Sequence, residues 1–137
     1  MPTKAILSLD QVQRILDAAQ AEATAQGWAV TIAVTDDGGH LLGLRRMDGC
    51  APMASYVAPE KARSAALGRR ETQGFEDMIN NGRMAFLSVP MLQGLMTGGV
   101  PLRLADQVVG AIGVSGVKPE QDAQVAHAGV AGLESQA

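Results

Sequence analysis

Cysteine is almost absent from this chain of 137 residues, where Cys50 stands alone. One thiol cannot build an intramolecular disulfide framework, and it leaves every cysteine-rich zinc site short of ligands. Histidine is nearly as scarce, with only His40 and His127. A three-imidazole centre is therefore excluded within one chain, and no metal site is expected. Aromatic side chains make up 3% of residues, too few for the stacking platforms that hold nucleic-acid bases. Neither sign of charge dominates: 11 lysines and arginines against 14 aspartates and glutamates leave a net charge of −3, whereas a nucleic-acid binder needs a basic face. No apolar run approaches the roughly 18 residues of a membrane span, and the N-terminal segment has no apolar stretch of signal-peptide length. These absences argue against nucleic-acid and membrane partners. They favour a cytoplasmic protein, and the lone thiol suits a reducing compartment.

What is present is globular composition, with 47% hydrophobic and 18% charged residues, and no linker, repeat or charge run divides it. One domain over residues 1–137 is expected. Ser8 and Gln11 have the form of a capping box, and Leu9, Val12, Ile15, Leu16, Ala19 and Ala23 recur at helical spacing up to Gly27, which predicts a first helix over 8–26. Residues 28–35 are β-branched and compact, Asp36-Asp37-Gly38-Gly39 is a turn signal, and 40–47 return as a second strand. A loop follows around Pro52, then a turn up to Ala58 and a helix with Pro59 at its first position. A short helix is expected over 72–83, while 85–95 are ambiguous. Residues 100–104 and 107–115 read as strands around an Ala105-Asp106 turn. Pro119 opens a last helix with Glu120 and Asp122 in its first turn. Hairpins and flanking helices in this order predict an antiparallel sheet in an α+β layout.

Several residues could carry chemistry. Asp36 and His40 could present a carboxylate and an imidazole together, although Asp and Gly in this turn are first of all conformational choices. Of Arg45 and Arg46, alternation along the strand sends one to each face. One is solvated, and the other pairs with Asp48 or holds a ligand carboxylate. Lys61 falls in the first turn of the helix expected from Pro59, where the dipole disfavours a cation, and this suggests an anionic partner. Gly98-Gly99 ahead of Val100-Pro101 could expose N–H groups to an anion or simply enter a strand tightly. Gly113-Val114-Ser115-Gly116 lacks the second glycine of a nucleophile elbow, since residue 117 is Val. Cys50 has no adjacent histidine and reads as inert. His127 reads as a surface or interface residue, and the methionines 53, 78, 84, 91 and 96 read as core.

Four motifs in order carry a resemblance. They are Val34-Thr35-Asp36-Asp37-Gly38-Gly39-His40-Leu41-Leu42 with Arg46-Met47-Asp48-Gly49; Lys61-Ala62-Arg63-Ser64-Ala65; Gly98-Gly99-Val100-Pro101-Leu102; and the run from Val108 to Gly116 with Asp122. Together they resemble the GlcG/HbpS-like family, haem-degrading and similar to the C-terminal domain of PduO, over nearly the whole chain. The resemblance implies a profilin-like sandwich with an antiparallel sheet of about five strands flanked by helices, usually in homo-oligomers. It implies a small-molecule ligand, haem being the leading candidate, with Arg46, Asp48, Lys61, Gly98, Gly99 and Ser115 as ligand-binding residues. Two further functions stay open: a small enzyme acting on a short organic acid, and an oligomeric structural module without a ligand. Self-association is expected from small-residue helix faces, Ala62, Ala65 and Ala66 on one helix and Ala128, Gly129 and Gly132 on another.

Overall fold

The computed structural model describes residues 1–135. Ser8 Oγ accepts the Gln11 N–H at 3.1 Å while Gln11 Oε1 accepts the Ser8 N–H at 2.8 Å. This reciprocal cap starts α1, Leu9–Gln26, and Gly27 ends it in the left-handed conformation at φ 77°. The strands β1 (Thr31–Asp36) and β2 (Leu41–Arg46) form the expected hairpin. Next come α2 (Ala54–Gly68), α3 (Thr72–Asn80) and a single 3-10 turn over Met84–Ser88. The chain closes with β3 (Gly99–Leu104), β4 (Gln107–Ser115) and α4 (Pro119–Glu134).

The sheet has four strands in the order β2-β1-β4-β3, all antiparallel. This corrects the expectation of about five, because among the described residues no further segment pairs with either edge. Pro101 lies in the edge strand β3, where a missing N–H costs no ladder bond on the open side. On one face Ile32, Val34, Val100, Ile112 and Val114 pack under α1 and α4 against Val12, Ile15, Leu16, Val125 and Leu133. On the other face Ala111 meets Ala62, Ala65 and Ala66 of α2. Here small residues set the distance: a Cβ at Gly113 would collide with the Ala58 carbonyl and the Ala62 N–H. Every one of these strand residues follows the period-two alternation that assigns successive side chains to opposite faces.

Two helix expectations change. Residues 54–58 are already helical, so Pro59 lies inside α2 and cannot donate to the Ser55 carbonyl. The helix persists because its inner face, Ala58, Ala62, Ala65 and Ala66, is fully buried on the sheet. The small-residue faces expected to mediate self-association are likewise covered within one chain: α2's by the sheet, and Gly129 and Gly132 of α4 by Ile15, Ala18, Ala19 and Ile112. Four of the five methionines are not core either: Met53, Met84, Met91 and Met96 are exposed, and Met78 is half-buried. α2 crosses β4, β1 and β3 and leaves the outer face of β2 largely uncovered, with Leu41, Leu42 and Leu44 in contact with solvent.

Candidate functional site

Lys61 sits in the middle of α2, not in a first turn, and its residue is only 3% exposed. The dipole argument for an anionic ligand therefore does not apply. Its ammonium already has an anion: Nζ donates to Asp122 Oδ2 at 3.1 Å and to the Val114 carbonyl at 2.9 Å. Asp122, in the first turn of α4, accepts the Val117 N–H through its other oxygen at 3.1 Å. Burial pushes the Asp122 carboxyl above its ordinary value, and the Lys61 charge and hydrogen bond pull against that. The pair locks α2, the end of β4 and α4 together.

Gly98 and Gly99 pass directly over this pair. A Cβ on Gly98 would press on Lys61 Nζ and the Val114 carbonyl, and one on Gly99 would strike the Lys61 carbonyl. Gly98 also holds φ at 129°, a conformation that glycine alone adopts freely. The Gly99 N–H is not available to an anion, because it donates to Thr72 Oγ1 at 2.8 Å. Ser115 is buried one residue beyond Val114 and pairs across the sheet with Thr31, which in turn pairs with Arg46. Lys61, Gly98 and Gly99 thus gather as the motifs suggest, but inside the molecule and around Val114, whose carbonyl accepts from Lys61 Nζ and whose N–H donates to the Gly98 carbonyl, with Ser115 next to it on β4.

Arg46 and Asp48 stand at the solvent side of the same end of the sheet. Arg46 faces the α2 side and donates through Nε and Nη2 to the Cys50 carbonyl at 3.3 and 3.0 Å, which closes the loop after β2. Arg45 faces α1, where Asp17, Gln13 and Gln20 each accept from its guanidinium at 2.7 to 3.1 Å. The alternation was legible. The stripe Gln13, Asp17, Gln20, spaced as a helix face beside the apolar one, was the overlooked sign that Arg45 would be the anchored member. Arg45, Arg46, Met47, Asp48 and Gln20 line an open cleft of about 460 Å³. Asp122 closes the fourth motif but was not among the expected ligand-binding residues. Its signal was a carboxylate in the first turn of a helix otherwise rich in alanine, valine and glycine.

The Asp36–His40 turn is built for conformation. Asp36 Oδ1 accepts the Gly38 and His40 N–H groups at 2.9 and 3.0 Å, with His40 Nδ1 at 3.1 Å. Partial burial works upward on this carboxyl, and the backbone donors of His40 and Gly38 with the His40 ring outweigh it and hold the group below its ordinary value. Cys50 is buried, with Sγ 3.4 Å from Thr31 Oγ1. Among the described residues no group of three histidine, cysteine or acidic side chains could hold a metal ion, and no helix is long and apolar enough to cross a membrane.

The layers and this cleft define a small α+β protein with one antiparallel sheet, a buried lysine–aspartate lock and an arginine-lined mouth beside it. The chain belongs to the HbpS-like family: the family model for haem-degrading HbpS-like proteins matches residues 7–131. It is 57% identical over 115 residues to protein GlcG of Escherichia coli K12, covering 84% of this chain and 85% of GlcG. The crystal structure of HbpS superposes with a TM-score of 0.88 at 28% identity, covering 97% of this chain and 94% of that one. The PduOC haem complex shares the fold, with a TM-score of 0.84 at 24% identity over 93% of this chain and 95% of that one.

Proposed function

We propose that this chain is a haem-binding protein whose ligand enters at the cleft between the end of β2 and α1. The observation that carries the proposal is the Arg46 side chain. It lies exposed at the mouth of a cleft of about 460 Å³, tethered only to a carbonyl and free to form a fork to a carboxylate. Membership in a family described as haem-degrading supplies the ligand class. The residues present fit one edge of a haem. Arg46 would hold a propionate, Met47 offers a thioether of the kind that ligates haem iron, and the open mouth leaves room for the macrocycle. The buried Lys61–Asp122 pair does not admit such a group. In this proposal Lys61, Gly98, Gly99 and Ser115 act from behind, fixing the strand ends that carry Arg46 and Asp48, and Asp48 sets the polarity of the rim. Bound haem would supply the iron chemistry, and the chain supplies orientation and charge.

Haem titration followed in the Soret band tests this. The wild-type protein should saturate at micromolar concentration, and Arg46→Gln should weaken binding about tenfold, as expected for loss of a charged hydrogen bond worth about 1.5 kcal/mol. No saturable Soret change in the wild type, or equal affinity in the variant, would overturn the proposal. The same protein is proposed to form a closed homo-oligomer, now through the uncovered face of β2 and the exposed Met53 and Tyr56 at the start of α2, in place of the small-residue helix faces.

A further inference from the structure

A second cleft, of about 360 Å³, opens on the opposite side of the molecule from β2, where the edge strand β3 meets the ends of α2 and α4. Arg69, Arg70, Arg103 and His127 line it together with Glu71 and Glu134. We propose that this cleft binds a small oxyanion carrying two negative charges, of phosphate or dicarboxylate chemistry.

Three observations support this assignment. First, none of the three arginines has a carboxylate at ion-pair distance. Among the described residues the one ion pair at this cleft joins His127 to Glu71, and the others lie elsewhere. In a chain of net charge −3, three arginines against Glu71 and Glu134 around one concavity are a local reversal of the overall sign. Second, the forks are already held in place. Arg69 Nη1 donates to the carbonyls of Asp37 and Ala66 at 2.7 and 2.9 Å. Arg103 Nη2 donates to the Arg69 carbonyl at 3.1 Å, and Arg70 lies over the Phe75 ring, 4.9 Å from its centroid. Each contact orients a guanidinium while leaving other N–H donors unused, so little side-chain freedom remains to be lost on binding. Third, Arg69 occupies the left-handed cap of α2 at φ 57°, ψ 33°, where glycine is usual. A strained backbone that places an arginine at the rim of a cleft is the kind of local cost found at binding sites.

The two carboxylates do not cancel the cluster. Glu71 is engaged by His127 Nε2 at 3.1 Å, and Glu134 stands exposed on the rim. Three arginines lining one small concavity favour a compact anion with several oxygens, because bidentate pairing rewards planar or tetrahedral oxyanions and not halides. The site is separate from the Arg46 cleft and makes no use of the haem proposal.

The test is an NMR titration of the full chain at constant ionic strength with inorganic phosphate and, separately, malonate, with chloride as the control. Saturable shifts of the Arg69, Arg70 and Arg103 side-chain N–H signals are expected in about the millimolar range or tighter, absent with chloride. The anion that saturates first identifies the source chemistry. Arg103→Gln should weaken binding at least tenfold, and Arg103→Lys, which keeps the charge but loses the fork, should also bind more weakly. No saturation by either anion, shifts matched by chloride, or wild-type affinity in a folded Arg103→Lys variant would overturn the proposal. Arg103→Gln should titrate haem like the wild type, so failure of haem binding and failure of this site are read separately.

Discussion

Replacing Lys61 by Met would leave the Asp122 carboxylate buried without its counter-ion, and breaking a buried pair from one side costs about 3–5 kcal/mol. Urea unfolding of Lys61→Met should show a loss of that order. The double variant Lys61→Met with Asp122→Asn should recover part of it, since the stranded charge is then gone. A loss below about 1 kcal/mol, the size expected for a surface charge, would mean that the pair is solvated. The acid response should come from other carboxylates. The Asp122 carboxyl is raised in the fold, so protonating it withdraws no stability. The Asp36 carboxyl is lowered, so its contribution is complete above the ordinary aspartate range and is lost as pH falls through the lower folded value. Between about pH 5 and pH 3 the melting temperature of Asp36→Asn should therefore fall less steeply than that of the wild type, and parallel curves would contradict this. At this scale the motifs foretold that Lys61, Gly98 and Gly99 meet. They did not reveal the partner, because whether a lysine is buried depends on which helix later docks over it.

Among the elements, α2 is held by close approach more than by bulk. Its inner side chains are alanines, and the sheet answers with Ala111 and Gly113. Gly113→Ala should cost about 3 kcal/mol, the upper end of overpacking, because the obstacle is the backbone of α2 and not a side chain that can turn aside. Chemical denaturation measures it, and a cost under about 0.5 kcal/mol, the range of neutral surface changes, would show that α2 floats above the sheet. The first helix, both hairpins and the last helix were legible because caps, turn residues and apolar spacing agree there. The start of α2 was not, since Pro59 looks like a helix opening and only tertiary burial of Ala54 and Ala58 carries the helix through it. Nor was the strand count legible: the sequence has four strand-like runs, and the expectation of a fifth came from the resemblance.

For the whole molecule, Leu41, Leu42 and Leu44 on β2, with Met53 and Tyr56 at the entry to α2, remain exposed, and a closed oligomer would cover them. Light scattering at micromolar concentration should give at least a dimer, which Leu44→Lys should dissociate. A monomer at every accessible concentration would contradict the proposal. The open cleft at Arg46 adjoins this face through the end of β2, so ligand and self-association are expected to influence one another. The architecture was legible from pattern. The site was legible only as a list of residues, because sequence spacing does not tell which of them face water. The measurement that bears most directly on the haem proposal is an anomalous difference map at the iron edge from crystals grown with haem. The peak should stand beside Arg46, Met47 and Asp48, within the cleft between β2 and α1. A peak in any other place, such as the arginine cleft at Arg69 and Arg103, would contradict the account.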